Sequence, residues 1–319
     1  MSFGISRIEL EMGPSTREAF GDALADAGAD ERIVACDGDV NNSTFTNKFA
    51  EKYPDRFFNV GIAESNLVGI AAGLASNGKI PVAASFSIFL LANAFDQVRM
   101  SIAFPNLNVK LVGSHAGISI GEDGPSQMAI EDVALACALP GFRVIVPADG
   151  ASAAAATHAM IEREGPTFLR CGRPSVPIVY RDGLEWHLGK ATVMREGSDV
   201  TIIANGIMVA MALDAAEGLA AEGVSARVLD MHTVKPVDIA AIERAANETK
   251  GIVVAEEHLA YGGLGATVSM VVSERSPTRM AFVDLGDTYA TSGAADELLA
   301  QYGLTPDAIA DAARRVLKD

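Results

Sequence analysis

The segment Gly61-Ile62-Ala63-Glu64-Ser65-Asn66 closes an expected strand with a glycine turn and opens a helix on a carboxylate. The helix dipole favours an acid there, and that alone can account for Glu64. The same place, beyond the C-terminal end of a parallel strand, is also where α/β sheets hold ligands. Ser85-Phe86-Ser87-Ile88-Phe89 sets two aromatic rings after another strand. Such pairs are common core material. They would also make a slot for a flat heterocycle, with ~0.5–1.5 kcal/mol of ring–ring contact beyond area burial. The run from Ser114 to Gln127 follows a strand and has no regular period. It carries His115, Glu122, Asp123 and Gln127, with Gly117, Gly121 and Gly124 for sharp turns. A polar loop after a buried strand is more often a site than a spacer. Arg170 and Arg173 flank Cys171-Gly172 and form a candidate anion clamp, through the paired donors of each guanidinium. A surface ion pair is the other reading.

These residues need elements to position them. The 319 residues allow two domains of ~150 residues each. Short β-rich runs alternate with helical patterns. Expected strands cover 32–36, 57–60, 80–84, 109–112, 143–146 and 167–170, with helices over 92–103, 130–139 and 151–163. Leu67, Ile70, Ala71 and Leu74 share one helix face. Strands separated by helices of this length imply parallel β-α-β units. The stretch 172–189 holds Pro174, Pro177, Gly183 and the lone Trp186, and reads as a linker with an irregular strand. Strands at 200–204, 226–229, 251–255 and 281–285, with helices at 209–219 and 306–317, make a second α/β region. The fold class is therefore α/β, two doubly wound domains with mostly parallel sheets, divided as 1–185 and 186–319.

Net charge is −16, from 25 basic and 41 acidic residues. A nucleic-acid binder needs a basic face, and an anionic membrane surface is disfavoured for the same reason. The most apolar window, 80–95, is too short and too polar to span a bilayer. Charged residues stand where a signal peptide would have its apolar core. Cys36, Cys137 and Cys171 are widely spaced with no C-x-x-C, which fits free thiols in the cytoplasm. His158, His187, His232 and the Glu256-Glu257-His258 run receive no role. His187 has no evident partner.

Taken in order, the segments resemble the C-terminal half of transketolase, its pyrimidine-binding domain followed by its small C-terminal domain. Gly121-Glu122-Asp123-Gly124-Pro125 with Ile130-Glu131 is the most specific part. Gly61-Ile62-Ala63-Glu64, Pro147-Ala148-Asp149-Gly150, Gly262-Gly263-Leu264-Gly265 and the tail from Ser292 to Leu304 support it. The resemblance implies thiamine diphosphate and Mg2+. Glu64 would hydrogen-bond N1′ of the aminopyrimidine, and Phe86 and Phe89 would hold its ring. His115 and Arg173 would meet a substrate phosphate, and Asp123 a donor-sugar hydroxyl. The implied reaction moves a two-carbon ketol unit from a ketose phosphate to an aldose phosphate, with Glu64, His115 and Asp123 catalytic.

Departures shape the substrate. The family's second histidine after the G-E-D-G-P run is Gln127, still able to contact a substrate hydroxyl. A phosphate-supporting serine matches Phe20, and a stacking tyrosine matches Ala92. A branched or modified sugar phosphate such as apulose 4-phosphate becomes an option. The family's metal motif, G-D-G followed by N-N, is absent, and Asp37-Gly38-Asp39-Val40-Asn41-Asn42 mimics it in the wrong order. That implies a separate N-terminal subunit holding the diphosphate and the metal, in a heterotetramer of two plus two. The alternatives are the beta subunit of a 2-oxoacid decarboxylating or deoxyxylulose-phosphate-synthase-like enzyme, and a non-catalytic partner that keeps the fold.

Overall fold

The computed structural model describes residues 1–181 and 185–318. In chain order the first strands are β1 (Met12–Ser15), β2 (Ile33–Asp37), β3 (Phe57–Asn59), β4 (Ile80–Phe86), β5 (Lys110–Ser114), β6 (Arg143–Ile145), β7 (Thr167–Arg170) and β8 (Ser175–Pro177). They are followed by β9 (Thr192–Arg195), β10 (Val200–Ala204), β11 (Ala226–Asp230), β12 (Thr233–Lys235), β13 (Ile252–Ala255) and β14 (Met280–Val283). One sheet has seven strands in the order β12-β6-β7-β5-β4-β2-β3, and a second has five in the order β14-β13-β10-β11-β9. Neighbours run parallel except at β12 and β9, which sit antiparallel on their sheet edges. The expected α/β architecture with mostly parallel sheets is the one observed.

Burial explains the central strands. Ile33, Val34, Ala35 and Cys36 are all buried, as are Val200, Ile202 and Ile203. A parallel strand covered on both faces needs such an unbroken apolar run. The helices start on chemical signals. Asp149 caps Gly150–Glu162 by accepting from Ser152 N, and Thr305 caps Pro306–Leu317 with proline in the first turn. The linker holds the irregular strand its composition suggested: β8 pairs with β1 near the N-terminus, with a register shift between Met12 and Ser15. Gly183 lies outside the described residues.

Two segments cross the middle of the chain. β12 comes from the second half yet completes the first sheet, with Thr233 opposite Ile145. Phe3, at the start, packs in the core cluster that holds Met208, Leu298 and Val316. The helix expected over 92–103 differs in winding. Residues Phe89–Asn93 and Val98–Ala103 are π-helical, around a short α turn. Leu90, Ala94, Val98 and Ile102 are fully buried at a spacing of four. An α-helix would rotate that stripe off the core, whereas mixed α and π winding keeps it facing inward. The helix expected over 130–139 shortens to Asp132–Cys137, because Ile130 O accepts from Leu259 N instead of propagating a helix.

His187 does have a partner: its Nε2 lies 3.0 Å from Glu185 Oε2 at the surface. His232 is fully buried and stacks on Trp186 at 4.3 Å between centroids. Burial pushes its pKa from 6.5 down to about 3. The unfolded chain therefore binds the extra proton first, and stability is lost as pH falls from about 6.5 towards 3. His232→Phe keeps the stack and removes the titration. In urea denaturation the wild type should lose about 2 kcal/mol more than this variant between about pH 6.5 and 4.5. Parallel pH profiles would contradict the assignment.

Candidate active site

β2, β4, β5 and β7 end side by side at the C-terminal edge of the large sheet, the edge that supports ligand sites in this architecture. Asp37 ends β2 and is fully buried. Its carboxylate accepts from Val40 N at 2.7 Å, Thr44 Oγ1 at 2.7 Å and Thr46 Oγ1 at 2.8 Å. These bonds fold the 38–46 loop across the sheet edge. The Asp37–Asn42 run is thus a loop anchor. Among the described residues, no group of three or more His, Cys, Asp or Glu is placed to hold a metal ion.

Glu64 is the first residue of the helix Glu64–Ser76 and is 5% exposed. Its Oε1 accepts from Ser85 Oγ, near the end of β4, at 2.9 Å. Gly38 packs on the same pair: a Cβ there would sit 3.0 Å from Ser85 Oγ. Among the described residues Oε2 has no hydrogen-bond partner, which leaves one face of a nearly buried carboxylate for a ligand donor. Phe86 stacks on Phe89 at 6.3 Å and on His115 at 3.9 Å. Both phenylalanines are half-buried, so the rings form an aromatic wall that is partly open.

His115 follows β5 with φ +60, a strained setting for a residue with a Cβ. It is 3% exposed, and burial together with the charges of Arg17 and Arg173 pushes its pKa down to about 3. The ring is neutral near pH 7. Arg17 Nη1 faces Nε2 at 3.4 Å, so hydrogen-bond logic assigns the ring proton to Nδ1, donated to Ser114 Oγ at 2.8 Å.

Arg17, which lies in none of the motifs, joins the site. It donates to Ser43 O at 2.6 Å and to Arg173 O at 3.2 Å. Burial and the neighbouring Arg173 charge lower its pKa. The signal was available: Arg17 stands in the first turn of the helix Thr16–Ala27, where the dipole disfavours a cation. Arg173 donates to Ile120 O at 2.8 Å and lies 3.3 Å from Glu122. Arg17, Arg173, Ser119 and Ala295 line a cleft of about 370 Å³. Asp123 is exposed, and Gln127 is half-buried and hydrogen-bonded to Ser126. Gly121 and Gly124 rest the loop against Gly293 and Ser292 of the tail.

Two expected features lie elsewhere. Phe20 is fully buried in a core cluster with Leu24 and Phe49, and Arg17, one turn earlier, faces the site instead. Arg170 is no clamp. Its Nε is 2.9 Å from Asp132 Oδ2, and its Nη2 donates to Ala129 O and Glu257 O. It braces the loop from beneath, because a side chain pointing back across the sheet edge meets Asp132 before it meets solvent.

Two family descriptions match the chain: the transketolase pyrimidine-binding domain over residues 12–178 and the transketolase C-terminal domain over 189–309. The chain is 41% identical over 301 residues to the 6-deoxy-6-sulfo-D-fructose transketolase subunit SqwH of Clostridium sp. (strain MSTE9), covering 94% of each. It is 41% identical over 329 residues to Homo sapiens transketolase, covering 99% of this chain but 52% of that one. A solved structure titled as a split gene transketolase, inactive beta4 tetramer, superposes with a TM-score of 0.90 at 45% identity, covering 96% and 99% of the two chains. The chain belongs to the transketolase family, a family of transferases dependent on thiamine diphosphate and a divalent metal.

Removing Arg170 would leave the fully buried Asp132 without a counter-charge, holding only the hydrogen bonds from Ser87 Oγ and Val133 N. Arg170→Leu should destabilise the chain by about 3–5 kcal/mol in urea denaturation, and Arg170→Leu with Asp132→Leu by less. A single-variant loss below about 1 kcal/mol would exclude the bracing role.

Proposed function

We propose that this chain is the C-terminal subunit of a split transketolase. It would transfer a two-carbon ketol unit from a ketose phosphate to an aldose phosphate, together with a separate N-terminal subunit. The observation that carries the reading is the polarity of the site. The site carries a nearly buried carboxylate, an aromatic wall that stacks on His115, and two arginines whose charges bear on that neutral histidine.

The residues present fit the pyrimidine end of thiamine diphosphate. Glu64 has an unpartnered oxygen suited to hold a proton at N1′ of the aminopyrimidine, and Phe86 and Phe89 would hold the ring. When bound, the cofactor supplies the carbon centre that takes up the two-carbon unit and bears its charge. The phenylalanines would exclude water from the ring. Arg17 and Arg173 would grip the anionic end of the sugar through charge-assisted bonds. His115, being neutral, would orient Arg17, and its Nε2 lone pair would accept from a substrate hydroxyl without adding charge. Asp123 and Gln127, on the same loop as His115, would contact sugar hydroxyls. The diphosphate and Mg2+ would be held by the partner through a G-D-G and N-N motif, in a two-plus-two heterotetramer. A relative of the same length is named a subunit, and another is titled an inactive tetramer of one chain type, which supports the need for a partner.

The sugar we infer is non-standard. The SqwH relative is named for a 6-sulfonated ketose. Apulose 4-phosphate and a sulfonated ketose share a terminal tetrahedral oxyanion, the group two arginines recognise. The working domain division remains 1–185 and 186–319. The cytoplasm is the compartment we favour: Cys36 and Cys171 are buried free thiols, pushed up to about 12 by burial. Among the described residues no helix is long and apolar enough to cross a membrane.

A tagged pull-down from the native cell, with thiamine diphosphate and Mg2+ present, should return a stoichiometric second chain carrying G-D-G and N-N. Recovery of this chain alone, or tight metal-dependent cofactor binding by it alone, would defeat the split reading. In the reconstituted complex Glu64→Ala should cut turnover by about 10²–10⁴-fold, and full retained turnover would remove Glu64 from the mechanism. Arg17→Ala should raise KM for the anionic acceptor about 10–100-fold while kcat holds, the loss expected for a bond to a charged group.

A further inference from the structure

Glu257 follows β13 in the second half of the chain, yet its carboxylate is buried beneath the loop that carries His115 and Asp123. Its Oε1 accepts from Ser119 N at 2.6 Å. The fit is close: a Cβ on Gly117 would lie 2.1 Å from the Glu257 carboxyl carbon. Ser119 is the middle residue of a one-turn 3-10 helix, Ile118–Ile120. Gly117 at φ +82 and Gly121 at φ +83 bound that turn, so its two ends are the most permissive backbone in the loop. The last carbonyl of the turn, Ile120 O, accepts from Arg173 Nη1 at 2.8 Å. A continuous line of contacts therefore runs from Glu257 to the Ser119 amide, through the turn, to the Arg173 guanidinium.

We propose that Glu257 is a positioning residue for the anion-binding end of the site, setting Arg173 through the Ser119 amide. The proposal rests on the reading of Arg17 and Arg173 as that end. A competing role, counter-charge for Arg170, makes a different demand. Arg170 already has Asp132 at 2.9 Å and takes only the backbone oxygen of Glu257. An amide acceptor is needed in the first case and a negative charge in the second. Glu257→Leu removes both at similar volume. Glu257→Gln removes the charge and keeps an oxygen for Ser119 N.

The test uses the full chain with inorganic phosphate as the probe, read by titration calorimetry, and amide hydrogen exchange at Ser119 read in parallel. Glu257→Leu should weaken phosphate binding by about 10–100-fold, the scale of a misplacement near one ångström, and should speed Ser119 exchange. Glu257→Gln should stay within about 3-fold of wild type. Wild-type affinity in the Leu variant overturns the proposal. So does a Gln variant as impaired as Leu, which would assign the counter-charge role. If the wild type binds no phosphate, the anion-end reading itself fails. Exchange then decides the Glu257–Ser119 link: fast exchange in the folded wild type, or no change in a folded Leu variant, overturns it. If the Leu variant does not fold, the Gln variant and the wild-type exchange rate still decide.

Discussion

Asp132 and Arg170 face each other with almost no exposure at the C-terminal edge of the large sheet, 2.9 Å apart. A buried charge is costly unless paired and hydrogen-bonded, and here each partner has several bonds. Asp132 accepts from Ser87, at the start of the aromatic segment. Arg170 reaches the carbonyls of Ala129, in the long loop, and Glu257, from the second half of the chain. One ion pair thus fixes the aromatic wall, the loop and the neighbouring domain against each other. The site around it inherits that geometry.

The energetics of the site run against those of the whole chain. Net charge is −16, yet Arg17 and Arg173 are brought together over a neutral histidine. Burial and repulsion from Arg173 lower the Arg17 pKa, and the charges of Glu18 and Asp123 only partly offset them, so the protein holds the two cations close at a cost. Glu122, the acid nearest Arg173, is exposed and 3.3 Å away, where solvent screens it. Preorganised cations of this kind favour an anionic ligand, because the cost of assembling them is met during folding. His115 held at φ +60 belongs to the same account of strain concentrated at a site.

Much of this was readable one residue at a time. Continuous apolar runs gave the central strands, and the helix expected over 306–317 matches Pro306–Leu317 to the residue. Glu64 at a helix start and the glycine-punctuated loop pointed to the sheet edge. Winding was not readable: a stripe at Leu90, Ala94, Val98 and Ile102 says helix, but the choice between α and π depends on the surface it packs against. Arg170 and Arg173 look alike in sequence. One is a buried brace and the other lines the cleft, because the first meets Asp132 from an element 38 residues away.

The amino-acid order by itself determined the central strands, most of the helices between them, the parallel architecture and the chemistry that each motif could perform. Those depend on periodicity, capping and side-chain type, which are local. Tertiary structure decided which charges are paired and which are free. It placed Arg17 against His115 across 98 residues and Glu257 against Ser119 across 138. Burial and distance set a group's charge and its partners, and neither exists before the chain is folded.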